Sequence, residues 1–351
     1  MRISMQPVDT ILIVTAYNAE AFLEALFESL RRQSYQGFQL VFVDDASTDA
    51  TLALAQRLGS FLGDRMQILH NAKNLGLVGA RNAGLDWAAQ HPTKYLGFLD
   101  ADDWFEDDYL LDLYTMAEAT QVGLCVAGIV RYDDASQRTL ASEMIRIEPF
   151  LYEDASTCDD VAIINPCSYA KLFRFDTLHQ LRFRDVLRSE DTCYLFDALP
   201  LLGGIAFTNK ALYHYRVHRS SLSASVGSAQ HESMHACFAD MLPSFNEATR
   251  APYKDQFETQ IFIHSSLGMI LRRVEQGEVA SLLAEDELRW LDEHIPSWRS
   301  NPFLNGHNYK ALFPKFLALQ ACAELYKSNA AQVFVYGYKA FQMLFGKEVR
   351  A

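Results

Sequence analysis

Residues 10–43 read TILIVTAYNAEAFLEALFESLRRQSYQGFQLVFV, and this stretch decides the architecture of the first half of the chain. Thr10–Val14 (TILIV) is a short apolar run, which predicts a buried strand. The next apolar positions fall on one face of a helix: Phe22, Leu23, Leu26 and Leu30. Phe38–Val43 (FQLVFV) predicts a second strand. A strand, a helix and a strand in this order are typical of a parallel sheet.

The same alternation continues to about residue 130. Further strands are predicted at Met66–Leu69, Tyr95–Leu99 and Leu124–Val130, and further helices after Ser47 and Asp49, at Val78–Ala89 and at Glu106–Ala119. The pattern predicts an α/β fold with a mostly parallel sheet flanked by helices. Ligands of such sheets bind beyond the carboxyl ends of the strands. The loops at those ends are Thr15–Asn18, Asp44–Asp49, Asn71–Arg81 and Asp100–Trp104.

The composition excludes several classes of protein. Half of the 351 residues are hydrophobic, which excludes a disordered chain. The net charge of −13 argues against a general nucleic-acid binder. No apolar run approaches the roughly 18–20 residues of a spanning helix, and the N-terminus does not resemble a signal peptide. The six cysteines form no CxxC pair, so we expect buried free thiols in a reducing cytosol.

The second half of the chain is predicted to be less regular and then helical. A short helix is expected at Ser189–Leu199, with strands near Ile205–Phe207 and Leu212–Tyr215. We place a domain at 1–225, with its ligand-binding part at about 8–130 and the remainder at 131–225, and a smaller helical region at 226–351. Acceptor binding, membrane-surface contact and self-association are the roles left open for that region.

The last segment of the helical region is apolar and rich in aromatic residues. These residues are Val333, Phe334, Tyr336, Phe341, Leu344 and Phe345. An interfacial helix and simple packing onto the domain are both compatible with this segment.

Two carboxylates follow the predicted strand that ends at Leu99. If the extended backbone continues, Asp100 and Asp102 face the same side. Hard oxygen ligands of this kind suit Mg²⁺ or Mn²⁺ shared with substrate phosphates. The alternative is an acidic turn that caps the next helix.

The other sheet-end loops carry groups that suit a nucleotide. Asp45 can accept a hydrogen bond from a nucleobase N–H or a ribose hydroxyl, although Ser47 and Asp49 also fit helix capping. Tyr17 offers a ring to a base, and the alternative is a core aromatic followed by Asn18 as a helix cap. Glycines in residues 76–84 allow a positive φ or a close backbone approach, and Arg81 could reach a diphosphate. The run fits neither GxGxxG nor the P-loop pattern.

In combination, four runs resemble the family 2 glycosyltransferases, which have the Rossmann-like GT-A fold. They are ILIVTAYN at 11–18, VDDASTD at 43–49, NLGLVGARNAGL at 74–85 and FLDADDW at 98–104, and the resemblance spans roughly residues 8–220. It implies that a nucleotide is held by Thr15, Tyr17, Asn18 and Asp45. It also implies a DxD motif, in which Asp102 ligates the metal directly and Asp100 lies nearer the ribose, with Arg81 near the diphosphate.

The resemblance also implies which residues act in catalysis. It implies that Asp191 is the general base and that Glu190 positions the acceptor. Without it, both are simply acids favoured at a helix N-terminus. For the run 213–223, the resemblance implies that Arg216 binds a phosphate of the donor. It also implies that His218 is a further metal or phosphate contact. The alternative is a basic surface loop that also contains Arg219.

The implied activity is an inverting, metal-dependent transfer of a sugar from a nucleotide diphosphate donor, expected to be a UDP-sugar. The cofactor would be Mn²⁺ or Mg²⁺, and the acceptor would be a hydroxyl of a glycan or a lipid-linked molecule. The resemblance suggests bacterial surface polysaccharide or glycolipid synthesis. The expected location is the cytoplasm. Peripheral contact with the inner face of the cell membrane is left open, and so is homo-oligomerisation.

Two other classes of function compete with this interpretation. His231-Glu232-Ser233-Met234-His235 is a literal HExxH motif, as in zinc hydrolases, with Glu247 or Glu258 as an imaginable third ligand. The metzincin extension fails because Phe238 stands at the required glycine. The third hypothesis is a nucleotide-sugar-binding module without catalytic activity.

Overall fold

The computed structural model describes residues 8–145, 149–218, 227–305, 313–328 and 330, with the side chains of 177 and 313–318 left aside. The chain divides into two compact units. The first comprises Met1–Ala155, Asn165–Asp185 and Asp197–Arg219, and the second comprises Ser156–Ile164, Val186–Phe196 and Ser220–Ala351.

One sheet organises the first unit, and its order is β3-β2-β1-β4-β9-β6-β10-β5, with β7 on β6 and β8 on β10. The strands are β1 Thr10–Ala16, β2 Phe38–Asp44, β3 Met66–His70, β4 Tyr95–Asp100, β5 Trp104–Phe105, β6 Leu124–Asp133, β7 Arg138–Glu143, β8 Phe150–Tyr152, β9 Lys171–Arg174 and β10 Ile205–Val217. The pairs β1–β2, β2–β3, β1–β4 and β6–β10 are parallel. The predicted α/β class with a mostly parallel sheet and flanking helices is confirmed.

Apart from the short helix Phe175–Leu178, which the sequence did not predict, the helices that alternate with these strands follow the prediction closely. They are α1 Leu23–Arg32, α2 Thr51–Leu58, α3 Gly76–Ala88, α4 Tyr109–Thr120, α5 Phe175–Leu178 and α6 Glu190–Leu202. Apolar side chains of β1, α1 and β2 belong to one buried cluster. The two-residue period of the strands and the 3.6-residue period of the helix direct these side chains to the same side.

A glycine sets the distance between α3 and β1. A Cβ on Gly84 would lie 2.6 Å from Cγ2 of Ile13, so only glycine allows the helix to approach the strand this closely. Gly76, at the start of α3, has a φ of +73°. The expected roles of these glycines, close approach and positive φ, are both present.

Several local predictions are wrong. Residues 205–217 form one strand with register shifts rather than two strands. The strand β9 runs antiparallel between β4 and β6, in a part of the chain where no strand was expected. Asn18 does not cap α1, whose N-cap is Phe22; instead its side-chain oxygen accepts a hydrogen bond from the Thr48 N–H.

The second unit is helical after residue 227. Its helices are α7 Ser228–Met241, α8 Lys254–Ile261, α9 Ile270–Glu275, α10 Ala280–His294 and α11 Phe313–Lys327, with a π-helical stretch at Phe262–Met269 between α8 and α9. None of the helices in the described residues has the length and apolar character needed to cross a bilayer. The apolar segment from Val333 to Phe345 lies outside the described residues, as does Arg219.

Candidate active site

The register of the parallel strands gathers polar residues at one edge of the sheet. Thr15 at the end of β1 is paired with Asp100 at the end of β4. The neighbouring residue Ala16 is paired with Asp44, and Asp44 is paired with His70 at the end of β3. The loops that leave these strands therefore begin side by side, as the sheet-edge rule predicts.

Three carboxylates meet at the end of β4. One oxygen each from Asp100, Asp102 and Asp103 lies within 4.8 Å of the others. The chain turns at Ala101 instead of staying extended, so the convergence comes from this turn and not from strand alternation. The turn also brings Asp103 into the cluster, whereas strand alternation would direct its side chain to the opposite face.

Asp103 is buried beside the two other carboxylates. Its side chain is fully buried, and its Oδ2 has no hydrogen-bond partner. Burial raises the pKa of Asp103 well above its ordinary value, and the charges of Asp102 and Asp100 raise it further. A divalent cation would relieve this repulsion, and an all-oxygen set suits Mg²⁺ or Mn²⁺. The residues present therefore fit the metal that the sequence predicts.

His218 lies directly at the same cluster. Its Nε2 is 2.8 Å from Oδ2 of Asp102, and its ring packs against Phe22 with centroids 4.6 Å apart. The structure thus brings together the two residues predicted to bind metal.

Arg216 braces the turn that carries these acids. Its backbone N–H donates to Oδ1 of Asp103, and its Nε donates to the carbonyl oxygen of Asp102, both at 2.8 Å. Its Nη1 lies 2.5 Å from Oδ1 of Asp134. The guanidinium also lies over the rings of Trp104, at 4.6 Å, and Phe22, at 5.4 Å. In this arrangement Arg216 holds the main chain of Asp102 in place.

Arg81 reaches the cluster from α3. Its Nη2 lies 3.2 Å from Oδ1 of Asp100, and the residue is only 2% exposed. Its guanidinium lies 5.1 Å from the ring centroid of Phe183. An arginine held this firmly is oriented before any ligand arrives.

The loops after β1 and β2 are tied to each other. The Asn18 N–H donates to Ser47 Oγ at 3.0 Å, and the Ala19 N–H donates to Thr51 Oγ1 at 2.7 Å. Tyr17, directly before these residues, is 52% exposed, which excludes the core-aromatic alternative. Its ring is therefore accessible to a ligand.

Asp45 is nearly buried and already makes contacts within the protein. Its Oδ1 accepts hydrogen bonds from Asn71 Nδ2 at 2.8 Å and from the Leu75 N–H at 2.9 Å. Its carboxylate therefore anchors the loop that leads into α3. Thr15 is also buried, at the end of β1.

Glu190 and Asp191 belong to the second unit. Both lie in the first turn of α6 and both are partly exposed. The segment before them is fixed to α7, because the Leu187 N–H donates to Ser233 Oγ at 3.1 Å. The acids stand where the helix dipole favours negative charge.

The HExxH histidines also lie in the second unit, and they face a different glutamate from those expected. Nε2 of His231 and Nε2 of His235 lie 3.1 and 3.2 Å from Oε2 of Glu287, whereas Glu232 is exposed. Glu258, one of the imagined ligands, accepts a hydrogen bond from Ser297 instead.

Arg273 opposes metal binding by this group. Its Nη1 lies 3.0 Å from Nδ1 of His231, and arginine can only donate, so Nδ1 carries no proton. The proton of the neutral ring is then on Nε2, the atom that a metal would need. Burial alone raises the pKa of Glu287, but hydrogen bonds from His231 and His235 hold it well below its ordinary value. Both rings also lie within hydrogen-bond distance of Ser265 Oγ, which donates to Oε1 of Glu287, so the histidines and the glutamate belong to one hydrogen-bond network.

Sequence reasoning missed several residues around the acids, namely Phe22, Asp103, Trp104 and Asp134. Asp103 and Trp104 adjoin the DxD motif, so their position in the sequence is a usable signal. Asp134 is 82 residues from its partner Arg216, and no local pattern links the two.

The chain is similar in sequence to known glycosyltransferases. The sequence model of "Glycosyl transferase family 2" matches residues 11–182. The putative glycosyltransferase EpsH of Bacillus subtilis is 27% identical over 271 residues, which are 74% of this chain and 76% of EpsH.

Two solved structures show the same fold. TarS of S. aureus, in complex with UDP-GlcNAc, superposes with a TM-score of 0.68 at 18% identity, over 95% of this chain and 92% of that one. The mannosyltransferase PcManGT of Pyrobaculum calidifontis, in complex with GDP-Man and Mn²⁺, gives a TM-score of 0.54 at 16% identity, over 98% and 89%. The family match covers the strands and loops that carry Thr15, Arg81 and Asp102. Residues 11–182 therefore form a glycosyltransferase family 2 domain, and the chain is a glycosyltransferase.

Proposed function

We propose that the protein transfers a sugar from a UDP-sugar to an acceptor hydroxyl by a single, inverting displacement that depends on Mn²⁺ or Mg²⁺. The observation that carries the proposal is the convergence of Asp100, Asp102 and His218 at the sheet edge, with Arg81 beside them. The complex of TarS with UDP-GlcNAc supports a UDP-sugar, and that of PcManGT with Mn²⁺ supports the metal.

The residues of the first unit would bind the donor. Tyr17 presents an exposed ring to the base, and Thr15, Asn18 and Asp45 lie on the adjoining strand ends and loops. Asp102 and His218 would hold the cation, with Asp100 in its shell. A bound divalent cation stabilises the negative charge that develops on the departing diphosphate.

Two arginines would complement the cation. Arg81 is oriented by Asp100, and Arg216 is fixed between aromatic rings. Charges held in place before the reaction cost no reorganisation while it proceeds, so they can be a large part of the rate enhancement.

An acceptor hydroxyl is a poor nucleophile until a base removes its proton. We assign that role to Asp191 and the positioning of the acceptor to Glu190, on the strength of the family pattern. The acceptor itself would be a glycan or a lipid-linked saccharide of a bacterial surface polymer. The protein would act in the cytoplasm or at the inner face of the membrane.

Titration calorimetry of UDP with Mn²⁺ and with EDTA tests the metal site. We expect Mn²⁺ to strengthen binding, and Asp102→Asn to weaken the Mn²⁺-dependent binding at least about tenfold, or 1.4 kcal/mol. Asp64→Asn is the matched control, since Asp64 is an exposed carboxylate away from the cluster. Equal UDP affinity in Mn²⁺ and EDTA would remove the metal from the proposal. GDP binding more tightly than UDP would replace the proposed donor.

UDP release from UDP-GlcNAc, with water or a panel of saccharides as acceptor, tests the base. We expect Asp191→Asn to keep its affinity for UDP and to lose about 10³-fold in kcat, within the range of general-base catalysis. Asp185→Asn, a nearby exposed acid, should retain activity. Near-normal turnover by Asp191→Asn would exclude Asp191 as the base, and UDP-sugar binding with no turnover by the wild type would favour the binding-module hypothesis.

A further inference from the structure

Two cysteines of the second unit lie in contact. Sγ of Cys193, in the first turns of α6, is 3.1 Å from Sγ of Cys237 on α7. The residues are 44 positions apart in sequence, so only the tertiary structure brings them together.

The surrounding contacts keep the two segments in this register. The Leu187 N–H bonds to Ser233 Oγ, and Ser189 Oγ lies 3.0 Å from Sδ of Met234. Cys193 follows Ser189 by one helical turn, and Cys237 follows Met234 by about one turn. A disulfide has an S–S length of about 2.05 Å, so the sulfurs need to approach by only about 1 Å.

This pair differs from the other cysteines in access. Cys237 is partly exposed, whereas the other five cysteines are buried. Burial raises the pKa of Cys125 to about 12 and that of Cys322 to about 12, so these thiols stay protonated and inert. A soluble oxidant therefore meets Cys237 first, with the fully buried Cys193 directly behind it.

We propose that Cys193 and Cys237 form a reversible dithiol–disulfide site that is oxidised by hydroperoxides. The Cys237 sulfur attacks the peroxide, so that an S–O bond forms, the O–O bond breaks and the leaving oxygen takes the thiol proton. The Cys193 sulfur then attacks the sulfenic sulfur of Cys237, an S–S bond forms, and the S–O oxygen leaves as water with the Cys193 proton. Two thiols lose two electrons and one hydroperoxide gains them.

The bond would join the first turn of α6 to α7. That turn also carries Asp191, two residues before Cys193, so the modification would constrain the segment that holds the proposed base. The site itself does not depend on the proposed function, because it rests on the two thiols and their surroundings alone.

The test uses the full chain, reduced, freed of reductant and then treated with hydrogen peroxide. Alkylation with iodoacetamide under denaturing conditions should add six labels to the reduced protein and four to the oxidised one, and reductant should restore six. Trypsin places Cys193 in residues 189–210 and Cys237 in residues 220–250. The oxidised digest should contain these two peptides as one cross-linked species.

Variants separate this pair from the other thiols. Cys237→Ser should retain all five of its thiols after peroxide, whereas Cys158→Ser, which changes a buried cysteine outside the pair, should still lose two. Six labels on the peroxide-treated wild type, a disulfide between other cysteines, or sulfinic acid at Cys237 without a cross-link would each overturn the proposal.

A trivalent arsenical gives a second readout that needs no oxidation. Phenylarsine oxide condenses with two neighbouring thiols, forming two As–S bonds and releasing one water. We expect one arsenical per wild-type chain by intact mass, still one in Cys158→Ser, and none in Cys237→Ser or Cys193→Ala. Equal arsenical binding by wild type and Cys237→Ser would refute the pairing even if the buried Cys193 variant does not fold.

Discussion

Replacing Arg216 by alanine should lower the stability of the first unit as well as its affinity for a diphosphate. In the structure the Arg216 side chain donates to the Asp102 carbonyl oxygen and to the Asp134 carboxylate, and it lies over the ring of Trp104. The alanine variant loses all three contacts. It keeps the hydrogen bond from its backbone N–H to Asp103.

The magnitude follows from these contacts. A hydrogen bond from a buried guanidinium contributes about 1 kcal/mol. The Asp134 side chain is 36% exposed, so its ion pair contributes no more than about 1 kcal/mol. The cation–π contact with Trp104 adds about 1 kcal/mol. The free energy of unfolding should therefore fall by about 3 kcal/mol.

Urea unfolding followed by tryptophan fluorescence measures this loss without any nucleotide. Asp134→Ala should cost about 1 kcal/mol, and the double variant should be no less stable than Arg216→Ala alone, because the ion pair is lost only once. Wild-type stability of Arg216→Ala would show that the guanidinium does not brace the turn.

Nucleotide binding then separates bracing from a direct phosphate contact. If Arg216 contacts the diphosphate, Arg216→Ala weakens UDP binding far more than uridine binding, measured at a temperature where the variant is folded. Equal effects on the two ligands would leave Arg216 with the bracing role alone.

The remaining predictions concern stability. Gly84→Ala should lower the free energy of unfolding by about 2 kcal/mol, because its Cβ would lie 2.6 Å from Cγ2 of Ile13 in a packed core; an unchanged urea midpoint would contradict this contact. Burial lowers the pKa of His264 from 6.5 to about 4, with the charges of Arg272 and Arg188 acting in the same direction. The unfolded chain therefore binds this proton at a higher pH than the folded protein, and the stability contributed by neutral His264 is lost as the pH falls from 6.5 towards 4, by at most about 3 kcal/mol. His264→Gln should flatten the pH dependence of the urea midpoint in this window, and an identical slope in wild type and variant would contradict the assignment.

The alternation of strands and helices up to residue 130 can be predicted from the sequence alone. Runs such as Thr10–Val14 and Phe38–Val43 carry their signal within a few residues, because strand and helix periodicities are local. The sheet-edge rule then pointed to the loops of Tyr17, Asp45 and Asp102, since parallel strands end at a common edge.

Which groups meet at that edge depends on how the elements pack in three dimensions. The pairing of His218 with Asp102, of Arg216 with Asp134 and of Cys193 with Cys237 joins residues far apart in the chain. The same holds for Glu287, which faces His231 in place of the glutamates expected from the sequence. Such partners share no periodicity or spacing, because their proximity follows from how whole elements pack and not from the conformation of neighbouring residues.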